Sequence, residues 1–340
     1  MSGAAKDITV AISYNLKKGA LTQPPDAEAE FDDLGTVHAI RDALESGGYK
    51  TGLFEAEETF APAIASYAPD IVFNIAEGKL GRGREAQIPA ILSFLGIPYV
   101  GSDETTMCLA MDKALTKRLL STLRVNTPRY KLVGKNALRS AGRTGAVPGL
   151  SHLQRPIIVK PNAEGSGKGI SGVSVVTGDD ELRRVLEEIT ELYNQDALVE
   201  EYIHGREITV GLLGNGDDAV AFTPMEIIFR DKNRCIYDYE TKRDFRQRVD
   251  YACPPDLGAE TINHLETTAL KIFKFLNCKD FARIDFRLSP EGRLYFIELN
   301  PIPGLAPDYS DYPMLAEFCG TGYNDLIQAI LSSALKRYGL

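Results

Sequence analysis

The stretch FARIDFRLSPEGRLYFIELNPIPG, residues 281–304, gathers an Arg, two carboxylates and an Asn on what reads as one hairpin. Alternation puts Ala282, Ile284, Phe286 and Leu288 on one strand face, and Phe281, Arg283, Asp285 and Arg287 on the other. Ser289 to Gly292 supply the chemistry of a tight turn. The second strand then carries Leu294, Phe296, Glu298 and Asn300 on one face. A four-residue turn predicts Arg283 opposite Glu298, with Asp285 diagonal to it. Two carboxylates that close push one pKa up unless a cation lies between them. With an amide oxygen beside them they suit a hard, oxygen-seeking ion, Mg²⁺ or Mn²⁺. The plainer reading is a wet sheet face with cross-strand salt bridges to Arg283 and Arg287.

Four other places could do chemistry. Lys160 ends the apolar strand IIVK, and EGSGKG follows at 164–169. Successive Gly and Ser peptides can aim several N–H groups at phosphate oxygens, and Lys adds positive charge. The spacing matches neither a P-loop nor the dinucleotide fingerprint, and a plain hairpin tip is the simpler alternative. LVEEYIHGREITV puts Glu200 at one strand end and Glu207 at the next strand's start. A carboxylate there can bind ribose hydroxyls while strand-end backbone groups read an adenine edge; solvated acids beside a turn are the alternative. YDYETK offers Tyr237, Tyr239, Glu240 and Lys242 in a loop, and MDKALTK offers Lys113.

These residues need elements to hold them. Residues 1–107 alternate strands (ITVAISY, YKTGLFEA, DIVFNIAEG) with helices (LGTVHAIRDALESGGY, EAQIPAILSFLG), the rhythm of a small parallel α/β domain. Residues 108–195 hold the helix DKALTKRLLSTLR, a polar segment, the Lys160 strand, the Gly-rich run and the helix DELRRVLEEITELY. Residues 196–340 hold a long irregular stretch near 230–250, a helix around 259–276, the hairpin and a last helix at 323–338. Long loops of that kind are usually lids or binding loops.

The chain has 340 residues, 44% hydrophobic and 25% charged, which fits a globular protein of two or three domains. Its net charge of −9 argues against nucleic acid as a partner. The four His and five Cys form no zinc spacing and no C-x-x-C, so reduced thiols in a cytoplasmic protein are expected. No run is long enough to span a membrane, and the N-terminus reads as a first strand.

Taken in order, GIPYVGSD…MDKALTK, IIVKPNAEGSGKGI, LVEEYIHGREITV, YDYETK, ARIDF and IELNPIPG resemble the ATP-grasp ligases, and within them the D-alanine–D-alanine ligase branch. The resemblance covers nearly the whole chain. It implies an α/β fold, α+β in the C-terminal part, in which a parallel N-terminal domain precedes two subdomains that clamp ATP. Lys113 and Lys160 resemble the lysines that hold ATP phosphates, and Gly165, Ser166 and Gly167 the loop that covers them. Glu200, with the backbone of Glu201, Tyr202 and Ile203, resembles the adenine hinge. Glu207 resembles the ribose ligand, Lys242 the lid lysine, and Asp285, Glu298 and Asn300 the Mg²⁺ ligands. Arg283 and the Gly304 N–H resemble the pair that stabilises a tetrahedral intermediate, where one such donor is worth roughly 3 kcal/mol; Ser166 joins them as a catalytic candidate. The implied reaction activates a small-molecule carboxylate as an acyl phosphate, which an amine then attacks. A homodimer is implied as well.

The departures fall on the amino-acid side. The family's early Glu, which holds the first substrate's amine, has no clear match in ISYNLKKGALTQPPDAEAEFDDLG; Glu28, Glu30, Asp32 and Asp33 are the candidates. The family's His-Gly motif is replaced by NIAEGKLGRGRE, which brings Glu77, Lys79, Arg82 and Arg84. Arg243 stands where a Tyr often follows the lid lysine, and Tyr309 or Ser310 replaces a serine-containing stretch. ATP chemistry with a changed substrate is therefore expected. Its added cations suit an extra carboxylate, unless they pair with Glu85 or Asp244 or face solvent. The alternatives are an ordinary D-alanine–D-alanine ligase and a nucleotide-binding regulatory protein without turnover.

Overall fold

The computed structural model describes residues 8–19, 26–140, 147, 149–165, 175–231, 237 and 239–340, with the backbone alone at 239 and 240. Three sheets organise them. The first is parallel, in the order β2-β1-β3, from β1 (Thr9–Tyr14), β2 (Lys50–Glu55) and β3 (Ile71–Asn74). Both its faces are covered, as a parallel sheet requires. Val10, Ile12 and Tyr14 face the helices Leu34–Ser46 and Tyr323–Tyr338, while Ala11 and Val72 face Phe60, Ile64, Ile88 and Leu92. Asp33 caps the helix Leu34–Ser46, its carboxylate accepting from the Thr36 N–H at 2.8 Å.

The second sheet is antiparallel, in the order β4-β7-β5-β6, from β4 (Tyr130–Val133), β5 (Ile157–Pro161), β6 (Val175–Val176) and β7 (Ala197–Glu201). The helix Asp179–Leu192 lies on it through Leu182, Val185, Leu186 and Ile189, one stripe at helical spacing.

The third sheet runs β11-β10-β8-β12-β13, with β9 beside β8. Its strands are β8 (Arg206–Leu213), β9 (Val220–Ala221), β10 (Met225–Phe229), β11 (Val249–Ala252), β12 (Phe281–Leu288) and β13 (Leu294–Asn300). One face packs Ile208, Val210, Ile284 and Phe286 against Leu265, Ala269, Ile272 and Phe273 of the helix Ala259–Phe275. The other face carries the polar residues of the site.

The cores cross the divisions drawn along the sequence. The last helix completes the first sheet's core, and Leu120 of the helix Lys113–Thr122 is buried with the third sheet. The stretch near 230–250 contains short helices at Tyr239–Arg243 and Phe245–Arg248 before β11. Among the described residues no helix is long and apolar enough to cross a membrane.

Candidate active site

The hairpin's register differs from the expected one by two residues. The turn spans 289–293, closed by the Ser289 N–H donating to the Arg293 carbonyl at 2.9 Å, and Leu288 faces Leu294. A β-bulge then interrupts the ladder. Phe286 pairs with Phe296, but Asp285 pairs with Glu298 and Arg283 with Asn300, so Ile297 is the extra residue. Strict alternation places Glu298 and Asn300 on the face of Leu294 and Phe296. The bulge reverses this: Leu294, Phe296 and Leu299 are in the core, while Glu298 and Asn300 turn to the polar face. Asp285 and Glu298 are therefore direct cross-strand neighbours.

Asp285 is held on all sides. Arg283 donates to both its oxygens at 3.0 Å, Asn300 donates at 3.0 Å, and the Thr209 hydroxyl donates at 2.7 Å. Glu298 lies 3.7 Å from the Lys113 ammonium. Burial pushes its carboxyl up, but Lys113, Lys242, Lys160 and Arg283 outweigh burial and hold it at about 2. Glu298 is thus ionised. Arg283 is itself buried, with Asp311 at 3.5 Å on its far side. Asp311 also accepts from Tyr237 at 3.0 Å and Tyr251 at 3.3 Å. Sequence reading missed Asp311; its signal was an acid at a helix start directly after the two residues proposed for substrate.

Lys113 opens its helix because Asp112 caps it, accepting from the Leu115 N–H at 3.0 Å. Asn162, just past β5, ties the two segments: it donates to Asp112 at 2.8 Å and accepts from the Ala114 N–H at 3.0 Å. The Lys113 ammonium donates to the Glu164 carbonyl. Lys160 and Lys117 flank Glu200, each at 3.0 Å. Burial raises the Glu200 carboxyl, and the two lysines more than reverse it. Lys117 was also missed, although it lies four residues beyond Lys113 on the same helix face. It is fully buried, donates to the Ile297 carbonyl at the bulge at 3.1 Å, and is pushed down to about 8 by burial against the pull of Glu200.

Two cavities meet here. The smaller is lined by Lys160, Glu200, Glu201, Tyr202, Ile203, Glu207 and Lys242, the residues expected around a nucleotide. Within it Glu207 accepts from Arg287 at 2.7 Å, and burial raises its carboxyl despite that arginine. The Glu201 carboxylate faces Arg129 at 2.6 Å, leaving its backbone to the cavity edge. The larger cavity is lined by Glu77, Lys113, Gly165, Arg283, Glu298, Asn300, Gly304, Tyr309 and Ser310. Glu298, Tyr237 and Lys242 border both, and the Lys242 ammonium lies 5.2 Å above the Tyr237 ring. Ser166 and Gly167 lie outside the described residues.

Gly304 runs so close to Ser310 that a Cβ added to it would stand 2.8 Å from the hydroxyl. Ser310 in turn accepts from the Ala306 N–H at 3.2 Å, so this turn is internally braced. Tyr309 is half exposed and stacks edge-on against Phe245. The expected cations stand elsewhere. Arg84 is buried behind the wall of the larger cavity, 2.6 Å from Glu30 and 3.3 Å from Glu164. Arg243 pairs with Asp244 at 2.9 Å, Arg82 with Asp112 at 3.1 Å, and Lys79 with Glu58. None of the four lines the cavity; each pairs with an acid instead. Two acids do line it: Glu30, one of the four candidates for the amine-holding Glu, and Glu85, which sequence reading offered only as a partner for the cations.

The sequence profile of the family described as D-ala D-ala ligase C-terminus matches residues 119–332. The D-alanine–D-alanine ligase of Cupriavidus pinatubonensis is 32% identical over 318 residues, covering 94% of this chain and 91% of that one. Among solved structures, the D-alanine–D-alanine ligase of Bacillus anthracis complexed with ATP superposes with a TM-score of 0.74 at 22% identity, over 98% of this chain and 99% of that one. The VanG D-Ala:D-Ser ligase of Enterococcus faecalis superposes with a TM-score of 0.75 at 20% identity, over 97% and 100%. With the ordered motifs and the shared ATP-grasp fold, these matches place the chain in the D-alanine–D-alanine ligase family of ATP-dependent, ADP-forming C–N ligases.

Proposed function

We propose that the chain joins an amino acid's carboxylate to an amine through an acyl phosphate, with a substrate cavity altered from that of a D-alanine–D-alanine ligase. The observation that carries this reading is that Glu298 and Lys242 border both cavities, one edged by hinge-like backbone and one by Arg283 and Gly304, with Asp285 beside them in a small adjoining cavity. ATP occupies the smaller cavity. Glu207 takes ribose hydroxyls, Ile203 and its neighbours border the adenine, and Lys113, Lys160 and Lys242 take phosphate oxygens. Asp285, Glu298 and Asn300 form an oxygen donor set that fits Mg²⁺, and the depressed Glu298 carboxyl fits a ligand that stays ionised. When bound there, the ion offsets phosphate charge.

The substrate carboxylate attacks the γ-phosphorus from the larger cavity, the bond from that phosphorus to the β–γ bridging oxygen breaks, and ADP leaves. The lysines reduce the repulsion between the carboxylate and the phosphate. The amine then attacks the acyl carbon and phosphate leaves. Arg283 and the Gly304 N–H hold the oxyanion that develops. Tyr237 and Lys242 stand between the cavities, where they limit water's access to the acyl phosphate. The reaction is assigned to the cytoplasm, and a homodimer would pair through the N-terminal domain, where Leu80 and Phe94 are exposed.

A second reading, D-alanine–D-alanine ligation itself, is favoured by the name of the 32%-identical relative. The D-Ala:D-Ser ligase with the same fold argues that the fold does not settle the substrate. The test is ADP release by the full chain with Mg–ATP over pairs of amino acids and small acids, with product mass. A condensed product other than D-alanyl-D-alanine supports the altered cavity. Fastest release with D-alanine alone sinks it, and release stimulated by no substrate sinks the ligase reading.

A further inference from the structure

The wall of the larger cavity carries more negative charge than the two reaction steps require. Glu30, Glu77 and Glu85 each place a carboxylate oxygen within 4.8 Å of the others. Glycine at 78 makes this possible. Its φ is +74°, and a Cβ there would lie 2.0 Å from the Arg84 carbonyl, so the chain after β3 packs directly against the turn that presents Glu85.

Arg84 answers one of the three acids. Its guanidinium is 2.6 Å from Glu30 and 3.3 Å from Glu164, and it donates to the Ala163 carbonyl at 2.9 Å. Glu85 is only 8% exposed, borders the cavity, and has neither a hydrogen bond nor an ion pair among the described residues. Glu77 is in the same position, half-buried beside it. A buried carboxylate without a donor is costly, and two of them side by side more so.

We propose that this wall binds a cationic side chain of the substrate, so that the acid activated here is a diamino acid, a carboxylic acid bearing two ammonium groups. The class deepens the ligase reading of the same cavity and rests on it for turnover. A single α-ammonium answers one of the two unpaired acids and leaves the other buried with its charge. A second ammonium answers it. Arg84, 2.6 Å from Glu30, opposes a divalent ion in the same place.

The electrostatics agree. Burial, then Glu30, pushes the Glu85 carboxyl up to about 7, with Arg84 and Lys113 opposing and Glu164 adding. Burial, then Glu85 and Glu30, pushes Glu77 well above the usual range, against Arg84. An empty wall holds a proton that an ammonium group displaces.

The experiment has two arms. In the first, ADP release is measured with ornithine and lysine, both enantiomers of each, and with D-alanine and L-alanine. At least one diamino acid should exceed the neutral amino acids at least tenfold in kcat/KM. Glu77→Gln and Glu85→Gln should each cut that ratio at least tenfold, chiefly through KM. A ratio of one or less in the wild type, or one unmoved by either variant, overturns the proposal while leaving the ligase reading intact. In the second arm, ornithine binding is measured calorimetrically with a non-hydrolysable ATP analogue present. Binding that Glu85→Gln weakens, without turnover, keeps the cationic site and sinks the ligase reading. No binding in the presence of the analogue, or Mg²⁺ binding lost in both variants, overturns the proposal. Both substitutions relieve charge repulsion, so unchanged or raised melting temperatures verify that the variants fold.

Discussion

Asp285 and Glu298 face each other across β12 and β13 because Ile297 is one residue too many for the ladder. Were the same strand paired without a bulge, Glu298 would sit on the face of Phe296, against the helix Ala259–Phe275. Bulges next to active sites re-aim side chains in this way. Deleting Ile297 removes the extra residue and restores plain alternation, which keeps Phe296 in the core and Glu298 opposite Asp285. The variant should therefore keep a single cooperative thermal melt. Loss of the cooperative transition would contradict the role given to the bulge.

Lys117 pins the same bulge from below, through the Ile297 carbonyl, and shares Glu200 with Lys160. Lys117→Met keeps the volume and removes the charge. Breaking one side of a buried ion network costs about 3–5 kcal/mol, which a chemical-denaturation series should register. The KM for ATP should rise as well, since Glu200 and Lys160 border the same cavity. An unchanged stability and KM would make Lys117 a bystander.

Stability should also report on the acidic wall. The Glu85 carboxyl rises from 4.5 to about 7 on folding. The folded state therefore binds more protons than the unfolded one between those values. Its contribution is fully present below pH 4.5 and is lost as pH rises through 7. The loss amounts to up to about 3 kcal/mol. Ligand-free protein should be less stable at pH 8 than at pH 6, and Glu85→Gln should flatten that slope. A wild-type stability that does not fall between pH 6 and 8 contradicts this.

The order of the motifs was legible in the sequence because strand alternation, cap residues and glycine runs are local. Lys160, Glu200 and Glu207 were singled out that way as strand-end residues, and they line one cavity; Asp33 and Asp112 announce their helices. The hairpin register was not legible. A turn one residue longer and a bulge each shift the pairing by one, and neither leaves a local mark in RLYFIELN. The cationic reading of NIAEGKLGRGRE failed for a related reason. Arg84 meets Glu30 across 54 positions of sequence, a pairing that only the folded chain supplies. Asp311 and Lys117 were passed over because each also reads as an ordinary residue of a helix.

Arg283 binds Asp285 through two parallel hydrogen bonds and reaches Asp311 with its third nitrogen. Lysine cannot reproduce that fork. Arg283→Lys should lower kcat by about 10²–10³ with little change in the KM for ATP. Single-turnover release of ADP against product would locate the loss in the amine-attack step. An equal loss in ADP formation would place Arg283 in carboxylate activation instead.

The most direct measurement is ADP release by Asp285→Asn and Glu298→Gln beside the wild type, in a Mg²⁺ titration with the best substrate pair. Both side chains keep their size and lose their charge: Glu298 at the border of the two cavities, and Asp285 beside it across the hairpin. Turnover should drop at least about 10³-fold in each, with a cooperative melt retained. Wild-type rates in either variant, at ordinary Mg²⁺, would contradict the assignment of this hairpin as the metal and phosphoryl-transfer centre.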